Sequence, residues 1–373
     1  MDRHYHVVDL FRNRELNELY VSIAIKSFAL SMINIFVPIF LIKFGYPLKE
    51  VLLFFIFMTF IHGCCTAPAA KFAAKFGLKH MMFFSVPMLI IFYLLLYSLD
   101  VYGWSLYLIA FFGGLHLAFF WTAYHIHFSV FSKKKIRGSQ VSFAYIFRAF
   151  FYVTGPLLGG FILKIFDFKV LFIIVGLVLF VSTFPLFLSK DVHKPVIFSV
   201  KRILTAQKPR DVVALLAYGV EYGLSSVVWP IFIFFTILND FTLLGFVTSL
   251  LIFFSIISVY FIGRYSDVSR RFVLRIGAIF NSMIWFVKVF VRTIVQVLMI
   301  DTFYGIAKGF INVPFDALCY DKANKSNVVE YIIFREIVIQ LGRIFLFVIV
   351  IFFDDLTLSF AVGGITSLLY LLF

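Results

Sequence analysis

Phe147-Arg148-Ala149-Phe150-Phe151-Tyr152-Val153-Thr154-Gly155 and Phe334-Arg335-Glu336-Ile337-Val338-Ile339-Gln340-Leu341-Gly342 carry one pattern twice, a Phe-Arg pair placed eight and seven residues before a glycine, at an offset of 187. Two further pairs keep the order. Gly113-Gly114-Leu115-His116 lies opposite Gly305-Ile306-Ala307-Lys308 at an offset of 192, and the join Ala70–His80 lies opposite Gly263–Arg271 at 193. One such match is cheap in a Phe-rich chain. Three in register describe an internal duplication of about half the chain, and small drifts in offset are what loops of unequal length produce.

The duplicated unit is apolar. Hydrophobic residues make up 62% of the 373-residue sequence and charged residues 14%, with a mean hydropathy of +1.03, which excludes a soluble domain of this length. A membrane-spanning helix takes roughly 20 apolar residues. Twelve segments of that kind are read near 20–43, 48–70, 81–99, 103–131, 140–166, 168–189, 211–238, 240–263, 273–291, 293–320, 328–353 and 355–373. The longest polar connection, 190–210, is rich in Lys, Arg and Pro and divides them six and six. The expected organisation is a lead-in over 1–19, a first bundle over 20–189, a linker over 190–210 and a second bundle over 211–373. The lead-in mixes acids and bases and has no apolar run of the signal-peptide type.

A net charge of +14 suggests nucleic acid only if its distribution is ignored. Of the 33 Lys and Arg, 22 fall in the lead-in, the linker and alternate joins, 6 fall on the other side, and 5 lie inside spans. That asymmetry follows the positive-inside rule, so the basicity reports topology, with both termini in the cytoplasm and no nucleic-acid partner. Cys64, Cys65 and Cys319 fit neither a disulfide framework nor a metal spacing. No phosphate-binding GxxxxGK[ST] loop is present to couple the chain to a nucleotide.

The repeated joins carry the residues through which the chain resembles the major facilitator superfamily of secondary transporters. The family's loop after helix 2 reads Gly-x-x-x-Asp-Arg-x-Gly-x-Lys/Arg and is echoed after helix 8. The second copy here keeps Gly263, Asp267, Arg270 and Arg271. The first keeps Lys75, Gly77 and Lys79 but has Ala70 and Ala74 in place of Gly and Asp, which leaves Asp267 as the gating acid. Gly155-Pro156-Leu157-Leu158-Gly159-Gly160 resembles a helix-5 motif of the family's antiporters. The resemblance implies an all-α membrane protein of twelve transmembrane helices in two pseudo-symmetric six-helix bundles. It also implies a central cavity lined by helices 1, 4, 7 and 10, exposed to each side in turn as the bundles rock.

Ionisable groups inside the membrane usually face a cavity or a partner. Asp301, Gly305, Lys308 and Asn312 share one helix face, and Lys308 lies near mid-span. The resemblance sets Lys308 opposite its repeat partner His116, as the first candidates for substrate contact. Pairing of Lys308 with Asp301 or with a neighbouring helix is the structural alternative. Glu221 lies near mid-membrane in span 7 with Trp229 on its broad face. It is the candidate proton carrier, because burial disfavours a lone negative charge, with His116 second. A Glu221–Lys308 ion pair without proton traffic competes with that reading. Tyr124 and Asn34 complete the expected substrate site. Arg148, Arg335 and Glu336 read as gate residues, and Lys26 as a lysine that can snorkel to the headgroups.

Inside the spans Lys26, His116, Arg148, Lys308, Arg335 and Arg343 slightly outnumber Glu221, Asp301, Asp316 and Glu336. The expected function is secondary transport of a small organic anion or zwitterion across the cell membrane, with protons as a possible co-substrate. Two alternatives are a proton-driven exporter of lipophilic cations using Glu221, and a membrane-embedded enzyme on a lipid-linked substrate. The enzyme reading is weakened by outer loops of a few residues without an acid–base constellation. No catalytic residue, metal ligand or cofactor is called for, and the chain reads as a monomer in the bilayer.

Overall fold

The computed structural model describes residues 14–182, 184–187 and 209–373. The lead-in before residue 14 and residues 190–208 of the expected linker lie outside the described residues. No strand occurs among the described residues, which form helices α1 (Arg14–Ser31), α2 (Val37–Lys43), α3 (Leu48–Phe76), α4 (Leu78–Tyr97) and α5 (Leu106–Phe131). They continue with α6 (Arg137–Tyr152), α7 (Gly155–Ile165), α8 (Phe168–Val181) and α9 (Pro209–Leu238). The last four are α10 (Phe241–Lys288), α11 (Ile294–Ala323), α12 (Val328–Phe353) and α13 (Leu356–Ser367).

Seven of the described helices, α3, α4, α5, α9, α10, α11 and α12, are long and apolar enough to cross a membrane, as is the stretch Lys134–Ile165 that α6 and α7 share. The chain is turned inside out relative to a soluble protein. Phe150, Leu177, Phe180 and Phe352 stand exposed, whereas Lys26, His116, Glu221 and Arg335 are buried. That is the distribution a hydrocarbon solvent selects, since lipid accepts apolar faces and rejects unpaired charge.

Where the helices start is legible in their caps. Asp167, Asp240, Asn327 and Asp355 each accept backbone N–H groups of the helix that follows, and Thr293 with Gln296 forms a capping box at α11. Gly77 joins α3 to α4 with no intervening loop, at φ +95°, a backbone conformation that a side chain at this position would strain.

Where the helices break is less regular than the sequence suggests. The expected first span over 20–43 is interrupted over 32–36, with Pro38 in the first turn of α2. The expected single span over 140–166 is two helices, α6 and α7, because Pro156 cannot donate a backbone N–H to continue the first. The expected join between spans 8 and 9 is not a loop. Residues 241–288 form two helices that meet directly at a kink, where Ser269 has non-helical backbone angles. The kink divides α10 into two apolar helical parts, which correspond to the two spans expected there.

The glycine-proline motif at 155–160 explains how the broken helices fit. A Cβ on Gly155 would collide with Ser31 and one on Gly159 with Met32, at the break after α1. A Cβ on Gly160 would collide with Phe241, and one on Gly245 with Pro156. Helix α7 is therefore wedged against α1 on one side and α10 on the other at backbone distance, the use of small residues expected in membranes. The repeat partner of Gly155 behaves alike. Gly342 on α12 meets the backbone of Leu216 on α9.

Candidate functional site

A cavity of about 360 Å³ lies among α1, α3, α5, α6, α9, α10, α11 and α12. Helices 1, 4, 7 and 10 of the family scheme correspond to α1, α5, α9 and α11, and all four contribute to the wall. The five cations left inside the spans by the sequence count, Lys26, Arg148, Lys308, Arg335 and Arg343, all line this one cavity. Three carboxylates, Glu221, Asp316 and Glu336, line it as well.

Glu221 is not the lone carboxylate that its helix alone suggests. Asn281 Nδ2 and Trp285 Nε1 donate to its Oε2 at 2.8 and 2.6 Å. The Tyr304 hydroxyl donates to Oε1, and Lys308 Nζ lies 3.6 Å from the same oxygen. Lys308 also donates to Ser225 Oγ at 3.3 Å. The ion-pair alternative for Glu221 and Lys308 is thus the observed geometry. The donors come from α10 and α11, distant in sequence and invisible from span 7 by itself.

Asp301 belongs to a second cluster behind the wall. It pairs with Lys288 at 3.0 Å and accepts from Trp229 Nε1 at 3.0 Å. Trp229 is therefore buried in packing, outside the cavity lining, contrary to its expected place in the substrate site. Lys288, counted by sequence among the residues of the outer side, is fully buried with its ammonium 4.0 Å from the Trp229 ring and 3.9 Å from the Tyr304 ring. A cage of indole and phenol faces with one carboxylate is the surrounding that a buried ammonium requires.

Asn34, Tyr124, His116 and Asn312 do line the cavity. Asn34 accepts from Tyr93 at 3.0 Å, and Asn312 accepts from Tyr218 at 3.5 Å. His116 Nδ1 lies 2.7 Å from the Ser85 carbonyl oxygen. A carbonyl only accepts, so Nδ1 carries a proton, and Nε2 is the ring nitrogen left for other partners.

Arg148, Arg335 and Glu336, expected at a gate, stand on the cavity wall. Arg335 Nη2 donates to Asp316 Oδ1 at 2.7 Å and Nη1 to Glu336. Tyr145 donates to Asp316 Oδ2 at 2.8 Å. Arg148 lies over the Tyr145 ring at 4.7 Å, Arg343 over the Tyr222 ring at 4.7 Å, and Lys26 over the Phe120 ring at 2.9 Å. None of these three cations has a carboxylate in ion-pair reach among the described residues, and Lys26 Nζ has no hydrogen-bond partner there. Lys26 does not snorkel. It is 3% exposed, because the break over 32–36 and the packing of α7 on α1 hold its helix inside the bundle.

At the Lys/Arg-rich end, Asp267 accepts from the backbone N–H groups of Gly138 and Ser139 at 2.6 and 3.0 Å and from Ser139 Oγ at 2.5 Å. The first turn of α6 thus binds the acid as helix N-termini bind anions. Arg270 reaches Asp321, the Lys134 carbonyl oxygen at 2.9 Å and Asp267 at 3.5 Å. Arg137 pairs with Asp321 at 2.6 Å, and Asn324 donates to the Ser129 carbonyl oxygen at 3.0 Å. These contacts tie the first half to the second below the cavity. Arg271 and Lys75 are exposed, and Lys79 pairs with Glu18 of α1 at 2.9 Å. The first-copy loop with Gly77 is accordingly held to α1. At the opposite end, the Gly160 and Gly245 approaches and Lys43 over the Phe241 ring at 4.6 Å join the halves again.

Asp321 and Arg137 carry this closure without having been singled out from sequence. The repeat hides Asp321, because its partner at the local offset of 192 is Ser129.

A family model of the Major Facilitator Superfamily matches residues 9–207. The chain belongs to this superfamily. As a superfamily member it is an integral multi-pass secondary transporter of the membrane. The Escherichia coli fucose:proton symporter FucP, in a variant form, is 12% identical over 96% of this chain and 98% of its own, with a TM-score of 0.69. FucP in the outward conformation gives 13% identity over 96% and 98%, with a TM-score of 0.70. The human organic anion transporter MFSD10 gives 10% over 96% and 99%, with a TM-score of 0.71. At these identities the likeness is one of fold. No curated protein sequence matches this superfamily member.

Proposed function

We propose that this transporter carries small organic anions by alternating access, with two six-helix bundles over 20–189 and 211–373 rocking about the cavity and the Lys/Arg-rich end facing the cytoplasm. One observation carries the substrate class: the cavity holds five cations against three carboxylates, and Lys26, Arg148 and Arg343 are the unpaired ones. Buried cations without counter-charge are costly, and an anionic solute would supply that charge. Two guanidinium forks suit carboxylate or phosphate, and the phenol and indole rings around them suit a planar apolar body.

The lipophilic-cation reading needs an uncommitted carboxylate. Glu221 is engaged by Lys308 and three further donors, and Asp316 and Glu336 share Arg335. Nothing of that kind remains among the described cavity residues. The pseudo-equivalent breaks and gates support rocking: Asp267 and Asp321 fasten one end, and the Gly160–Phe241 approach fastens the other.

Thermal stabilisation of the purified protein tests the substrate class, with phthalate, succinate and phenyl phosphate against tetraphenylphosphonium. A ligand at about 100 times its Kd adds roughly 2.7 kcal/mol to the folded state. Stabilisation by an anion that is lost in R148Q and R343Q is the expected result. Stabilisation by the phosphonium cation alone would overturn the reading.

A further inference from the structure

Two histidines of the first half converge on one carboxylate of the second. His62 Nε2 on α3 lies 3.4 Å from Glu336 Oε2, and His125 Nε2 on α5 lies 3.6 Å from Glu336 Oε1. All three residues are buried, at 2%, 5% and 3% exposure, and all three line the cavity. The cluster is therefore both reachable from the substrate site and stretched across the seam between the halves.

We propose that the His62–Glu336–His125 cluster binds the proton that this transporter moves with its anion, on an imidazole held against the Glu336 carboxylate. The proposal rests on the anion reading above and names the co-substrate site within it.

The rings are set for the task. His125 Nδ1 lies 2.7 Å from the Tyr320 hydroxyl, which fixes the ring so that Nε2 faces Glu336. His62 has no hydrogen-bond partner on either ring nitrogen among the described residues, so Glu336 is the polar group its Nε2 faces. Arg335 is shared by two carboxylates, Asp316 and Glu336. With both imidazoles neutral, those three groups carry one surplus negative charge, and a single proton on either ring cancels it.

The remaining charged and titratable neighbours explain the link to the solute. Arg343 lies two turns along α12 from Glu336, Arg148 and Tyr145 face it from α6, and Tyr320 faces it from α11. Elsewhere on the wall, α1 contributes Lys26, α5 contributes His116 and Tyr124, α9 contributes Tyr218, Glu221 and Tyr222, and α11 contributes Lys308. Arg148, Arg343 and Lys26 repel a further positive charge while the cavity is empty. An anion resting on them offsets that repulsion and favours the proton, and by reciprocity the proton favours the anion. Loading of one therefore promotes loading of the other. That coupling is the condition for symport.

The indole of Trp121 stacks on the His125 ring at 5.5 Å with a 23° interplanar angle, and so reports the proton directly. An imidazolium ion quenches a stacked indole, and a neutral imidazole does not. The full chain in nanodiscs should lose Trp121 emission as the pH is lowered and the ring takes up its proton. The loss should vanish in W121F and H125Q and fall to less than half in E336Q, whose Arg335 still has Asp316 to hold its place.

In liposomes with trapped pyranine, external phthalate should acidify the lumen, and E336Q and the double variant H62Q/H125Q should abolish that acidification while keeping the thermal stabilisation by phthalate. No pH-dependent quench in the unmodified protein, or undiminished acidification in either variant, overturns the proton site. If phthalate, succinate and phenyl phosphate all fail to stabilise the unmodified protein, the anion reading falls instead. The fluorescence titration contains no anion and then decides the proton site alone.

Discussion

Arg137 and Asp321, 184 residues apart in sequence, meet through a 2.6 Å ion pair at the Lys/Arg-rich end of the bundle. Arg270 joins the same carboxylate from α10, so one acid on α11 is shared by α6 and the kink at Ser269. The closure of this end depends more on Asp321 than on either arginine.

Opening of that end can be read from Cys319, a free thiol that is fully buried two residues before Asp321. In a C64S/C65S background, D321N should raise the rate of Cys319 alkylation by about tenfold, equivalent to roughly 1.4 kcal/mol of opening free energy. R137Q should raise it less, because Arg270 keeps its hold on Asp321. An unchanged rate in D321N would show that this pair does not hold the end shut.

Glu221 offers a sharper separation of roles. Replacing it with Gln leaves Lys308 without its counter-charge and turns an amide NH2, itself a donor, toward either the Asn281 and Trp285 donors or the Tyr304 and Lys308 donors. Breaking a buried pair in this way costs about 3–5 kcal/mol. E221Q should therefore lower Tm sharply, and adding K308M should restore a large part of the loss. A variant E221Q with unaltered Tm but abolished proton coupling would return Glu221 to the role of proton carrier.

Much of this arrangement was readable before any coordinates. The repeat, the apolar spans and the sidedness of Lys and Arg gave the architecture class, because each is a sum over many residues. The five cations that the sequence leaves inside the spans all line one cavity, because few charges survive in hydrocarbon without one, whereas Lys288 is buried although its position in the sequence suggests the outer side. What escaped were relations across helices. Span 7 cannot show that Asn281 and Trp285 aim at Glu221, nor span 2 that His62 meets Glu336. Trp229 was misplaced because a helix face is about as wide as the difference between lining a cavity and packing behind it.

The approach of α7 to α10 at the opposite end turns on Gly160 and Gly245. G245A brings a methyl into the Pro156 carbonyl, and the two backbones must separate. Overpacking of this kind typically costs about 1–3 kcal/mol. Gly176 on α8 is the internal control, since a Cβ there meets nothing within 4 Å. G176A should leave Tm unchanged or raise it slightly, as Ala favours the helix by up to about 1 kcal/mol. Equal effects of the two substitutions would mean that α7 and α10 tolerate separation.

Asp355 caps α13 outside the spans, accepting from the Thr357 N–H and the Thr357 hydroxyl, both at 2.7 Å. The Thr357 side chain, more than the backbone N–H groups of Thr357 and Leu358, holds its carboxyl below the usual carboxylate range against a small opposing effect of burial. A carboxyl depressed on folding stabilises the fold above its unfolded value, near pH 4, and that contribution is lost as pH falls through the lower folded value. D355A should cost about 1 kcal/mol near neutral pH, the usual worth of an N-cap. The Tm gap between D355A and the unmodified protein should then narrow as the pH is taken below about 4. D355N keeps an acceptor oxygen without the charge, so it should start from a smaller gap and show less pH dependence. A gap of constant size in both variants across that range would assign the effect to helix packing instead of the cap.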